Sequence, residues 1–190
     1  MITGLEIKRK IVHLASLVIP LGYCFMARET VLTWVVLICL GFLFVDVLRH
    51  FHPGMALLFQ RYFIGTVLRE KENHTLMAST YFLISTCMVI FFFPKSIAIA
   101  SILILIISDT CAAWVGRGLG KVRLLGKTLE GSTAFLLSSL AIVWSYPGLD
   151  GWAGSVAAVG ATLVEILPLP VDDNLTIPLV AASLMFFVGA

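Results

Sequence analysis

Read for the spacing of apolar and polar positions, the chain is a series of long apolar runs separated by short polar breaks. Ile11 to Met26 is the first run, interrupted by Pro20 and closed by Arg28-Glu29, and Val31 to Leu48 is the second. Met55 to Leu68 is shorter, about fourteen residues against the roughly 20 that a spanning helix needs, and carries Gln60 and Arg61. It reads as an amphipathic helix lying in the membrane plane. Thr75 to Phe93 is the third span, and Pro94-Lys95 turns into the fourth, Ser96 to Val115. Thr133 to Tyr146, Trp152 to Leu167 and Leu175 to Ala190 complete the set, divided by Pro147-Gly148 and by Pro168-Leu169-Pro170. The expected fold is all-α, a polytopic transmembrane helix bundle of about seven spans with one short in-plane helix. Residues 1–190 form a single integral membrane domain, and no internal repeat is visible.

Composition agrees with the pattern. Hydrophobic residues make up 59% of the chain and charged residues 13%, against about 25% in soluble domains. The mean hydropathy is +1.02. Lipid is therefore the solvent to reason about, and no nucleic-acid partner is expected. Cys24, Cys39, Cys87 and Cys111 fall inside apolar runs without metal-ligand spacing and read as small buried hydrophobes. Lys8-Arg9-Lys10 before an apolar run superficially copies a signal peptide; no small-x-small cleavage site follows, so the run is expected to stay as a span.

The charges are distributed unevenly. With the N-terminus in the cytoplasm, this threading places every Lys and Arg inside except Arg28 and Lys95, as the positive-inside rule favours. It also places every Asp and Glu inside except Glu29 and Asp150. Acids beside bases at one membrane face suit a Mg²⁺ polyphosphate, because the metal neutralises the acids and the bases neutralise the phosphates.

The densest chemistry lies between Ser108 and Ser132. Asp109 sits inside an apolar helix, where a carboxylate costs roughly 2.5–3.5 kcal/mol unless it faces a partner or a polar cavity. Gly116, Gly118 and Gly120, with Arg117 and Lys121, would let backbone amides and cations approach phosphate closely. Gly126-Lys127-Thr128 lacks the earlier glycine and the preceding strand of a P-loop, so that reading is rejected. Lys127, Thr128 and Glu130 open the fifth span; Glu130 could act with Asp109 on a metal or offset the helix dipole, and Ser132 could cap that helix. Glu165 precedes the Pro168-Leu169-Pro170 stop, and Asp172-Asp173-Asn174 follows it; so many carboxylates at one helix end call for a cation. Near the N-terminus Glu6, Arg9, Lys10 and His13 share a helical face, with a phosphate-holding role and a mere topology signal both open. Asp46, Arg49 and His50 read as a local ion pair by their spacing.

These blocks together resemble the CTP-dependent lipid-alcohol kinases, comprising dolichol or polyprenol kinase, phytol kinase and the CTP-using diacylglycerol kinase. The resemblance runs through Glu6 with Arg9-Lys10 and His13, Glu72 with Thr80-Tyr81-Phe82, Asp109 to Lys121, Lys127 to Ser132, and Glu165 with Asp172-Asp173-Asn174 and Pro178. Ser108-Asp109 departs from the Gly-Asp common in such proteins. Phosphatidate cytidylyltransferases are similar in the middle block, but their His-Gly-Gly and Asp-Arg-x-Asp signatures are missing.

The resemblance implies transfer of the γ-phosphate of CTP to a lipid alcohol; the residues alone imply only a Mg²⁺ polyphosphate. The expected catalytic set is Asp109, Lys127, Glu130, Asp172 and Asp173, with Mg²⁺ on Asp109, Glu130 and Asp172. Nucleotide contacts are expected from Gly116, Arg117, Gly120, Lys121, Lys127 and Thr128. Arg9, Lys10, His13, Glu165 and Asn174 are expected to bind substrate or phosphate. One acid among Asp172, Asp173 and Glu165 would take the alcohol proton. The alternatives are a cytidylyltransferase that releases pyrophosphate, and, from another class, a small transporter or non-catalytic membrane scaffold. The last predicts acids spread through the bilayer depth, whereas here they crowd one face.

Overall fold

The computed structural model describes residues 4–52, 54 and 75–189, with side chains from Arg9 onward. The in-plane helix expected over 55–68 lies outside the described residues, as do Glu70, Lys71, Glu72 and the side chain of Glu6. Helices are α1 (Gly4–Ala15), α2 (Val18–Phe25), α3 (Arg28–Phe51), α4 (Ala78–Phe92), α5 (Lys95–Leu103), α6 (Asp109–Gly118), α7 (Leu129–Ser145), α8 (Gly151–Ile166) and α9 (Asp173–Val188). A π-turn, Ile104–Ser108, joins α5 to α6 in one continuous rod. The only strands among the described residues are β1 (Arg123–Leu124) and β2 (Lys127–Thr128), a small antiparallel hairpin where a plain loop was expected.

Two helical rods, Arg28–Phe51 and Lys95–Gly118, are long and apolar enough to cross a membrane. At about 1.5 Å per residue each is ~36 Å long, which exceeds the ~30 Å hydrocarbon layer. Ala78–Phe92, Leu129–Ser145, Gly151–Ile166 and Asp173–Val188 are apolar but shorter. Large apolar side chains such as Phe25, Phe51, Trp144 and Phe187 stand exposed on the outside, as expected of a protein solvated by lipid.

Contacts sort the helix ends into two groups. At one end Lys95 Nζ donates to the carbonyls of Cys24 and Met26 at 3.2 and 3.1 Å, and Arg28 donates to the carbonyl of Phe91. At the other end Lys10 meets Asp109 and Lys127 meets Asp173. The core between them is built from the rod, α4, α8 and α9, with Ile99, Ile102, Ile104, Ile106, Ala157, Ala161, Ile177 and Ala181 fully buried.

Two prolines shape the helices by the same mechanism with different outcomes. A proline lacks an N–H and crowds the carbonyl four residues earlier. Pro20 does this to Ser16, and the first expected span breaks there into α1 and α2. Pro178 would strand the carbonyl of Asn174, but Ser85 Oγ on α4 donates to it at 2.7 Å and α9 continues.

Asp46 and Arg49 form the expected i, i+3 pair, Nε to Oδ1 at 2.6 Å, yet the pair is more than local. Both are buried, Asp46 completely. Asp46 Oδ2 accepts from the Met77 N–H at 3.0 Å and from the Thr80 hydroxyl, while Arg49 donates to the carbonyl of Thr75 at 2.6 Å. A side chain of α3 thus caps α4, whose own N-cap Met77 has no capping group. Asp46→Ala takes the carboxylate away from the buried Arg49 guanidinium; the expected loss is about 3–5 kcal/mol of stability, read as a lower thermal midpoint in detergent. Asp46→Asn, which keeps the acceptor to Met77, is expected to lose less.

Candidate active site

The site begins with the π-turn. One extra residue per turn over Ile104–Ser108 shifts the register of everything after it, and the next residue is Asp109. Ser108 is fully buried, and its hydroxyl accepts from Ser139 Oγ at 2.9 Å; a serine in place of the expected glycine is therefore satisfied rather than strained. Thr110 Oγ1 donates to the carbonyl of Ile106 at 2.7 Å within the widened turn.

Asp109 meets the N-terminal helix. Lys10 Nζ pairs with Asp109 Oδ2 and donates to the Asp109 carbonyl at 3.2 Å. His13 Nε2 lies 3.7 Å from Asp109 Oδ2 and 3.5 Å from the carbonyl of Leu105 in the π-turn. These contacts join residues about a hundred positions apart. They hold α1 against the rod at the site.

A cavity of about 160 Å³ opens beside this pair. Arg9, Lys10 and His13 line it from α1, Asp109 from α6, and Asp172, Asp173 and Asn174 from the start of α9. Ser79 and Phe82 on α4 add a hydroxyl and an aromatic wall. Phe82 lay within the family-like blocks, but Ser79 carried no signal in the sequence.

The acids at the start of α9 divide their work. Asp172 is the N-cap: its Oδ1 accepts from the Asn174 N–H at 3.0 Å and from Asn174 Nδ2 at 2.7 Å. Asp173 instead reaches Lys127, Oδ2 to Nζ at 3.2 Å. Lys127 Nζ also contacts Glu165 Oε1 at 3.1 Å, and Glu165 Oε2 accepts from Ser132 Oγ at 2.9 Å. Burial pulls the Lys127 ammonium down, but the Asp173 and Glu165 carboxylates overcome that and hold its pKa above the ordinary lysine value. Two carboxylates thus favour the charged form of Lys127.

Several expected roles are placed elsewhere. Glu165, expected on substrate, is 3% exposed, faces Ser132 and Lys127, and is not in the cavity wall. Ser132, read as a cap, bonds Glu165; the cap of α7 is Thr128, whose Oγ1 accepts from the Gly131 N–H at 3.2 Å. Thr128 is thereby engaged within the fold, 9% exposed. A Cβ on Gly116 would lie 2.6 Å from Thr128 Oγ1, and one on Gly120 would overlap the Gly116 carbonyl and the Thr128 methyl. These glycines let α6, the hairpin and α7 touch, and Gly131 completes the contact.

Glu130, expected with Asp109 on the metal, accepts from the backbone N–H groups of Lys121 and Val122 at 3.0 and 3.3 Å and braces the hairpin. It does not line the cavity. Among the described residues no group of three His, Cys, Asp or Glu side chains could hold a metal ion by itself. Arg117 and Lys121 are exposed beside the hairpin. The structure thus gathers Arg9, Lys10, His13, Asp109, Asp172, Asp173 and Asn174 around one space, with Lys127 and Glu165 joined to them through Asp173.

No family profile and no solved structure matches the chain. Curated relatives do. CTP-dependent diacylglycerol kinase 1 of Schizosaccharomyces pombe is 30% identical over 162 residues, 75% of this chain and 74% of that protein. Probable phytol kinase 1, chloroplastic, of Glycine max is 30% identical over 164 residues, 75% of this chain and 54% of that protein. An uncharacterized protein of Rickettsia prowazekii is 34% identical over 184 residues, 92% of this chain and 90% of that protein. Similarity at that level across most of the chain, together with paired acids and bases at one end of an apolar bundle, makes this chain a member of the CTP-dependent lipid kinase family.

Proposed function

We propose that this end of the bundle transfers the γ-phosphate of CTP to the hydroxyl of a lipid alcohol. The observation that carries the reading is the cavity in which Arg9, Lys10 and His13 face Asp109, Asp172 and Asp173 at the end of an otherwise apolar bundle. Phosphoryl transfer asks little covalent chemistry of a protein; it asks for alignment and for neutralised charge. At about 160 Å³ the space is smaller than the ~300–1,000 Å³ of pockets that enclose a whole ligand. Under this reading it would take the reacting phosphates and one hydroxyl. The base would then lie outside it, toward Arg117 and Lys121, and the lipid tail among the helices.

No three of the described acids form a metal site by themselves, but Mg²⁺ commonly binds only one or two carboxylates and completes its shell with phosphate and water, and Asp109 and Asp172, which line the same cavity, would supply that number. Bound there, the ion would neutralise charge on the transferring phosphate. Arg9 and Lys10 would hold phosphate oxygens. Asp172 and Asp173 both line the cavity, Asp172 with Oδ1 engaged in capping α9 and Asp173 with Oδ2 on Lys127, and Asp173 would accept the alcohol proton. The distribution of Lys and Arg supports a cytoplasmic N-terminus and site, where CTP is available.

Purified protein given labelled CTP with phytol, polyprenol, dolichol and diacylglycerol should yield CDP and the phosphate of one of these alcohols. Release of pyrophosphate with a CDP-lipid would replace the kinase reading by a cytidylyltransferase. Asp109→Asn should lower kcat/KM by about 10²–10³-fold, the scale for removing one preorganised charge contact at a transition state. Activity should vanish with a Mg²⁺ chelator and return on adding the ion. Lys127→Ala should also cost about 10²-fold or more. The Lys127→Ala/Glu165→Gln double variant, which removes the stranded buried charge, should recover stability without recovering turnover.

A further inference from the structure

The hairpin carries features that the phosphoryl-transfer reading does not use. Its two-residue turn, Leu125-Gly126, has positive φ at both positions, 48° and 91°. That is the turn for which Asn-Gly or Asp-Gly is favoured, because the left-handed region is hard on a side chain with a bulky Cβ substituent. Leucine is a poor local choice there, and it is also 60% exposed. Leu119 and Val122 beside it are 69% and 53% exposed, and Leu129 stands out as well. Interleaved with them are Lys121 and Arg123, both exposed, and residues 114–129 contain no Asp or Glu, the nearest acid in sequence being Glu130, whose carboxylate is held by the Lys121 and Val122 amides.

Position supplies the second observation. The hairpin follows the rod Lys95–Gly118, whose length of about 36 Å exceeds the ~30 Å hydrocarbon layer. Exposed Trp114 in the last turns of that rod is the kind of residue found at headgroup depth. Water-exposed leucines at a strained tip have no local advantage. In a headgroup layer the same tip gains apolar contact, and the exposed bases Lys121 and Arg123 gain anionic phosphates.

We propose that the β1–β2 hairpin is a docking surface for anionic phospholipid headgroups, with Leu119, Val122 and Leu125 in the interface and Arg123 on a lipid phosphate. The docked hairpin holds Lys127 against Asp173, which lines the cavity, while the lipid substrate arrives from the same layer. The inference rests on the reading of the chain as a membrane protein, and its primary test does not need the kinase reaction.

The test uses the full chain with a nitroxide on Leu125→Cys, in a background where the native cysteines are replaced, reconstituted in vesicles. In phosphatidylcholine with about a third phosphatidylglycerol, the label should be more accessible to oxygen than to a water-soluble nickel chelate. Its spectrum should contain a seated and a free component. Arg123→Gln should lower the seated-to-free ratio by about fivefold, the equivalent of ~1 kcal/mol for one cation near an anionic surface, and high salt should do the same. Leu125→Asn suits the left-handed turn, so thermal stability should hold or rise. In that variant a nitroxide on Val122→Cys should move toward water. A label equally open to the chelate in neutral and anionic vesicles overturns the proposal. So does a spectrum that answers to added CTP and not to lipid charge, which would assign the bases to nucleotide. Loss of CTP-dependent turnover with lipid docking intact would refute the proposed reaction and leave this inference standing.

Discussion

The ion pair between Lys10 and Asp109 is the contact on which the site depends. A carboxylate placed in an apolar rod is tolerated only if a cation reaches it, and the cation comes from the other end of the sequence. That requirement pins α1 to the π-turn and brings Arg9 and His13 with it. It also leaves an opening toward α9, whose first residues supply the opposing acids. The same rule operates at Lys127, which bridges Glu165 and Asp173 and so ties the hairpin to α8 and α9. Charge pairing across distant segments thus joins these helix ends.

Much of this was legible from the apolar pattern. The runs ending near Leu48, Phe93, Tyr146 and Leu167 became helices ending within a few residues of those positions, because length and apolar content decide a helix in lipid. Asp109, Lys10 and His13 could be marked because charge is costly there. What escaped had no one-dimensional signature. The π-turn is one extra residue inside a uniformly apolar stretch, invisible to periodicity. The hairpin turn was hidden because leucine is not a turn residue. Ser85 beneath Pro178 and Thr80 beneath Asp46 are tertiary answers to backbone problems whose location, but not whose solution, the sequence shows. Glu130 was grouped with Asp109 because both flank one loop; the loop folded into a hairpin whose amides captured its carboxylate.

Two acid–base pairs in the same molecule separate fold from chemistry. Asp46 and Arg49 are sealed, and both oxygens of Asp46 are engaged with α3 and α4, so exchange of partners would leave a buried charge unsatisfied. Lys10 and Asp109 are partly exposed, with side-chain accessibilities of 13% and 27%, and they border a cavity. An open pair can trade its partner for a phosphate or a metal ion at small cost, because water and the incoming ligand take over the solvation. A sealed pair cannot.

Charge balance then constrains what the open site can accept. Around the cavity and its rim, Arg9, Lys10 and Lys127 stand against Asp109, Asp172, Asp173 and Glu165, with His13 adding charge only when protonated. The protein groups already nearly cancel, so a nucleoside triphosphate would arrive with most of its negative charge unanswered. Under the proposed reaction, Asp109 and Asp172 would hold a divalent cation that accompanies the nucleotide, and Lys10 and Lys127 would then turn to phosphate oxygens. The lysines that stabilise the bundle end without nucleotide are, on that account, the same groups that neutralise the phosphates when it is bound. This links the stability of that end of the fold to the charge of its ligand.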